Sequence, residues 1–232
     1  MNFNIMTLFP ELVLTVLNES IIGRAQKNGY LSVEAHQIRD FSQKKTRRVD
    51  DTPYGGGMGM VMECQPIYDC YQSIVKDLPQ NERRRVIYMT PKGRVFNQAI
   101  AKELSEYDRL IFLCGHYEGV DQRVIDEIVD DEISIGDYIL TGGEIPACIV
   151  VDAVSRLLPG VLSAPECYEG ESIASGLLEY PQYTKPAEYH GMRVPDVLLS
   201  GHHENIDKWR YEEALRLTRE RRPDLLIGKT EK

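Results

Sequence analysis

The chain reads as an α/β layered domain with a mostly parallel sheet, followed by a small, mainly helical C-terminal unit. Two observations predict this. Short apolar runs that stop at Gly- or Pro-bearing loops alternate with helix-period segments over the first two-thirds of the sequence. Near Ser163 the texture changes, and Ser163 to Ser175 carries Pro, Gly, Ser and Glu with little periodicity.

In order, Phe3 to Leu8 reads as a buried first strand. Pro10 to Asn18 carries Leu12, Val13, Val16 and Leu17 at helical spacing. Leu31, Val33 and Ala35 alternate as strand residues do. Gln65 to Val75 sets Ile67, Cys70, Tyr71, Ile74 and Val75 on one helical face. Arg85 to Met89 is a short apolar strand that stops at Thr90-Pro91-Lys92-Gly93. Asn97 to Glu106 reads as a helix, Arg109 to Cys114 as a buried strand, and Val120 to Val129 as an amphipathic helix. Glu144 to Leu158 is a long apolar helix closed by Pro159-Gly160. Residues 1–162 therefore form the α/β domain, 163–175 a linker or mobile loop, and 176–232 a C-terminal unit ending in a charged helix from about Glu204 to Arg221.

Composition narrows the class. With 42% hydrophobic and 27% charged residues, the balance is that of a soluble globular chain. No apolar run approaches the roughly 20 residues that cross a bilayer. The N-terminus lacks a basic, cleavable leader, so the cytoplasm is the expected compartment. The five cysteines include no C-x-x-C pair, which disfavours a disulfide framework or a zinc site. A net charge of −9 argues mildly against a nucleic-acid partner. The basic residues nevertheless cluster: Lys44, Lys45, Arg47 and Arg48; Arg83, Arg84 and Arg85; and Lys208 to Arg222. An acidic chain can present a basic face, although each cluster alone also reads as solvated surface.

Loops at the carboxyl ends of parallel strands are where α/β domains bind ligands. Asp50 to Met60 contains Gly55-Gly56-Gly57 but continues Met60-Val61-Met62, so it is not a P-loop. Tyr88 to Gly93 and Cys114 to Gly119 each begin where a strand ends; alone, each is also a plain turn. Ile133 to Glu144 is a backbone-rich loop with one carboxylate, Asp137, suited to an adenine edge and to a cation or ribose hydroxyl.

Taken together, Asp51-Thr52-Pro53-Tyr54-Gly55-Gly56-Gly57, Gly115-His116-Tyr117-Glu118-Gly119, Ser134 to Glu144 and Ser155 to Val161 resemble the signature segments of TrmD, the bacterial tRNA (guanine-N1)-methyltransferase family. Gly176 to Pro186 and Val197 to Gly201 extend the resemblance over essentially the whole chain. It implies a SPOUT-type parallel sheet with a deep C-terminal trefoil knot in the main domain. It implies a homodimer whose sites are shared between protomers. It implies transfer of a methyl group from S-adenosyl-L-methionine to N1 of guanine 37, beside the anticodon of tRNA, with magnesium needed for activity, although no metal-ligand spacing is evident. The cofactor residues it implies are Tyr88, Met89, Thr90, Pro91 and Gly93; Gly115, Tyr117 and Glu118; Ile135, Gly136, Asp137, Tyr138, Ile139 and Leu140; and Gly142, Gly143 and Pro146. The anticodon stem-loop would lie on Lys44 to Arg48 and on the basic C-terminal helix. Rival readings are another SPOUT methyltransferase, acting on ribose or a different base, and a non-catalytic RNA-binding module.

The chemistry sets two further requirements. N1 of guanine carries a proton at neutral pH, so a base must remove it, and negative charge then develops on O6. Arg156 matches the family arginine for O6. Glu171, before Ser172, stands where the family usually has the aspartate that serves as base; Glu179 is its rival. His116 stands where many relatives have arginine, and a histidine is only partly charged at pH 7.

Overall fold

The computed structural model describes residues 1–163, 172–173 and 175–227. The first unit runs β1 (Asn2–Thr7), α1 (Pro10–Leu17), α2 (Ser20–Lys27), β2 (Ser32–Gln37), β3 (Asp50–Asp51), β4 (Val61–Met62) and α3 (Cys64–Val75). It continues β5 (Arg84–Val95), α4 (Gln98–Leu104), β6 (Arg109–Cys114), α5 (Gln122–Ile128), β7 (Asp131–Ser134) and α6 (Glu144–Ser155). The main sheet has the order β2-β1-β6-β5-β7, and every pairing in it is parallel.

Strand alternation builds two cores. Phe3 and Ile5 of β1 and Leu110, Phe112 and Cys114 of β6 enter one, against α1, α2, α4 and α6. Met6, Ile111 and Leu113 enter the other, against α3 and α5. A sheet covered on both faces needs apolar runs of this kind.

Four local readings change. β5 does not stop at Thr90: Ile133 faces both Met89 and Arg94, so residues 90–93 bulge from the ladder between them. Pro91 has no N–H to give the ladder. Gly93 lets the backbones close up, because a Cβ there would lie 2.3 Å from the Glu132 carbonyl carbon. β7, read from sequence as the start of a loop, is an edge strand. Its acidic neighbourhood hid it, yet these acids have partners: Asp130 accepts the Val86 N–H at 2.8 Å and Asp131 pairs with Arg94. α2 was not expected, since Gly23 interrupts it; the glycine fits because a Cβ would strike the Asn18 carbonyl oxygen. α6 also ends at Ser155, three residues before Leu158.

The chain divides into two compact units, Met1–Ser163 and Ala164–Lys232. In the second, a hairpin of β8 (Glu188–Tyr189) and β9 (Met192–Arg193) precedes α7 (Asp196–Leu199) and α8 (His203–Arg221). Tyr180 and Tyr183 each approach the Trp209 ring at 6.4 Å between centroids, and Arg210 lies over Tyr180. Most of the 163–175 stretch read as a linker lies outside the described residues, and so does Glu171. Among the described residues no helix is long and apolar enough to cross a membrane.

Candidate cofactor cavity

The carboxyl ends of β5, β6 and β7 open into a cavity of about 670 Å³, within the range of small-molecule sites. Three chain segments wall it: the bulge after Met89, the turn after Cys114, and the loop from Ile135 to Gly143. Much of the wall is main chain. Gly115 lies under the Tyr88 ring, where a Cβ would sit 3.0 Å from the ring carbons. Gly143 lies on the end of β6: its N–H donates to the Gly115 carbonyl at 3.1 Å, and a Cβ would meet Cys114 Cα at 2.7 Å. Tyr117 holds a φ of 60°, a left-handed conformation that a bulky residue rarely adopts and that tends to mark functional loops. Burial, then the charge of Glu132, raises the Tyr88 phenol above its ordinary value, so it stays neutral at the cavity wall.

Every residue expected to touch the cofactor lines this cavity except Asp137. Asp137 is exposed at a tight turn, where the Tyr138 N–H donates to the Gly136 carbonyl at 2.9 Å and directs the intervening side chain outward. Lys92, Arg94, Gln122, Asp131, Glu132 and Thr141 line the cavity without having been singled out. Recognising β7 as a strand would have found the acidic pair; nothing in the local pattern marks Gln122.

Arg156 is not at this cavity. It caps the C-terminal end of α6, whereas Gly143 and Pro146, at the N-terminal end, line the wall. A helix of 12 residues separates these ends by about 18 Å. Arg156 shares a helical face with the half-exposed Ile145 and Ile149, spaced at 4 and 7 residues. Neighbouring α1, which packs on α6, carries the exposed apolar residues Leu12 and Val16. Glu179 is exposed, and its N–H donates to Ser172 Oγ at 2.9 Å.

A buried polar group joins the cavity to the core. Glu144, 4% exposed at the start of α6, accepts the Thr7 hydroxyl at 2.6 Å and pairs with His116 Nε2 at 2.8 Å. Cys114 and Cys148 lie in its field: burial, then the Glu144 charge, raises both thiols, Cys148 to about 11. Neither is a nucleophile at neutral pH.

The basic cluster near residue 45 is largely offset by acids. Lys44 pairs with Asp51 and Glu63, Arg47 with Asp40, and Arg48 with Asp50. In α8, Arg210 and Arg216 are likewise paired, whereas Arg219 and Arg221 pair with no carboxylate among the described residues.

Fold and site together define an α/β protein with a ligand cavity of mostly main-chain character at the carboxyl edge of its sheet. Residues 1–228 match the family model described as tRNA (Guanine-1)-methyltransferase TrmD, and the chain belongs to that family. Among similar relatives, a tRNA (guanine-N(1)-)-methyltransferase of Ruminiclostridium cellulolyticum is 59% identical over 97% of this chain and 96% of its own. One of Clostridioides difficile is 55% identical over the full length of both chains.

Proposed function

We propose that the protein transfers a methyl group from S-adenosyl-L-methionine to N1 of guanine 37 in tRNA, 3′ of the anticodon. The observation that carries this reading is the main-chain-walled cavity, formed by the same segments that resemble the family signatures. Its volume and its glycine approaches at Gly93, Gly115 and Gly143 suit an adenosine and a short charged tail. When bound, S-adenosylmethionine supplies a sulfonium-activated methyl group. The chain's own residues orient it, exclude water and manage the guanine proton.

A SPOUT trefoil knot belongs to the same reading. The close seating of Gly142 and Gly143 against His116 and Cys114 supports it, because the segment before α6 lies directly on the end of β6. A homodimer with shared sites also belongs to it. With Arg156 about 18 Å from its own cavity, antiparallel pairing of two α6 helices through the Ile145–Ile149 face would carry one copy's Arg156 towards the other copy's cavity. There Arg156 stabilises the charge that develops on guanine O6. Glu171 removes the N1 proton, and Glu179 is the alternative base. Single-turnover methyl transfer measured against pH decides between them: Glu171→Gln is expected to slow transfer and to remove the rise of rate with pH that deprotonation of the base produces, and an unchanged profile removes Glu171 from the mechanism.

Arg219 and Arg221 of the C-terminal tRNA-binding unit are proposed to meet phosphates, with affinity falling steeply as salt rises. Magnesium is proposed to be needed for activity; among the described residues no group of three His, Cys, Asp or Glu could hold a metal ion. The cytoplasm is the proposed compartment. The decisive assay incubates the protein with an undermodified tRNA transcript and S-adenosylmethionine. N1-methylguanosine should form and be lost when guanine 37 is replaced. Methyl groups on ribose would favour another SPOUT activity, and no incorporation would favour an RNA-binding module.

A further inference from the structure

The buried group around Glu144 has a consequence for His116. As a carboxylate, Glu144 only accepts hydrogen bonds. Thr7 Oγ1 accepts the Phe9 N–H at 2.9 Å and gives its own proton to Glu144 Oε1. The other oxygen therefore takes the proton of His116 Nε2. His116 Nδ1 has no hydrogen-bond partner among the described residues, and His116 lines the cavity. The residue is held on its other sides: its backbone N–H donates to Met62 Sδ, Phe9 tilts against the ring at 5.0 Å, and Gly142 leaves the ring room, since a Cβ there would lie 2.3 Å from it.

We propose that Glu144 is a positioning residue that fixes His116 as its Nε2–H tautomer, leaving Nδ1 as the atom that accepts a hydrogen bond from an N–H donor bound in the cavity. The donor is a nitrogen of the methyl donor or of the target guanine; both present N–H groups. The proposal rests on the placement of the cofactor in this cavity. The network reaches from the end of β1 to the first turn of α6, where a carboxylate is also favoured by the helix dipole. It therefore ties a cavity-lining side chain to the rigid sheet.

Glu144→Gln separates this role from plain packing. Glutamine keeps the volume and both contacts, but it must accept from Thr7 through its oxygen and donate to His116 through its amide. That donation requires an unprotonated Nε2 and moves the ring proton to Nδ1. Thr7→Val removes the two hydrogen bonds of the hydroxyl, to Glu144 and from the Phe9 N–H, and leaves the tautomer alone. Long-range proton–nitrogen NMR of the His116 ring, assigned with His116→Asn, reads the tautomer directly. Wild type and Thr7→Val should show Nε2–H, and Glu144→Gln should show Nδ1–H.

Calorimetry with S-adenosylhomocysteine and single-turnover methyl transfer at saturating cofactor then locate the donor. If it lies on the cofactor, S-adenosylhomocysteine affinity falls about tenfold in Glu144→Gln; if on guanine, affinity holds and the saturated rate falls about tenfold. A tautomer unchanged by Glu144→Gln overturns the proposal. So does an inverted tautomer with both affinity and rate intact, or a Thr7→Val variant that shows the same losses. If S-adenosylhomocysteine leaves the wild-type His116 ring resonances unmoved, the cofactor placement fails and the cavity role of Nδ1 with it. The tautomer assignment is read without ligand and stands apart.

Discussion

The two ends of the sheet use the same strands differently. At the carboxyl end, β5, β6 and β7 finish in glycines, a bulge and a left-handed tyrosine, and their main chain walls a cavity. At the amino end, side chains close the sheet over itself. Arg109 at the start of β6 pairs with Glu82 at 3.1 Å and donates to Asn4 Oδ1; Asn4 meets His36 of β2 at 2.9 Å. Asp108 accepts the Arg83 N–H at 2.9 Å. One end presents main chain to a cavity, and the other ties side chains of neighbouring strands and loops to one another. The same parallel sheet therefore carries a cavity at one edge and a seal at the other.

If this division holds, substitutions at the two ends should fail differently. The largest effect belongs to Arg156→Ala, which should slow single-turnover methyl transfer by about 100- to 1000-fold while leaving the melting temperature close to wild type. Mixing that variant with a cavity-defective one should restore part of the activity, if sites are shared. Next comes Gly93→Ala. A Cβ against the Glu132 backbone must part β5 from β7, so urea unfolding should show a loss of about 1–3 kcal/mol together with lost S-adenosylhomocysteine binding.

Glu82→Gln probes the sealed end. It should cost a comparable or smaller amount, about 1–2 kcal/mol, by weakening the pair with Arg109, and S-adenosylhomocysteine affinity should be unaltered. The smallest effect is a pH slope. Burial, opposed by Glu34 and reinforced by Arg109, lowers His36 below its ordinary value of 6.5. The unfolded chain then holds the proton more readily, so this contribution to stability is complete above pH 6.5 and declines as pH falls below it. His36→Gln should flatten that decline in denaturation curves taken at successive pH values, again without touching ligand affinity.

What was legible in the sequence follows from range. Phe3 to Leu8 and Arg109 to Cys114 read correctly because apolar runs report burial on both faces locally. β7 did not, because Asp131 is satisfied by a partner far along the chain, Arg94. Thr90 to Gly93 was visible as a loop signal, but only the register with Ile133 reveals that it interrupts a strand which then resumes. Of the site, the wall segments could be anticipated from their motifs. The Thr7–Glu144 bond could not, since it joins residues 137 apart and depends on which strand ends meet. The exposure of Asp137 was not legible for a related reason: composition suggested a ligand contact, whereas the local turn leaves the residue exposed.

The central claim is that the ligand lies at the carboxyl end and nowhere else on the sheet. Amide hydrogen exchange with and without saturating S-adenosylhomocysteine tests it most directly. The account predicts added protection in residues 88–93, 115–119 and 135–143, with residues 32–37 and 82–85 unaffected. Protection centred on the amino end, or none in the three wall segments, would contradict it.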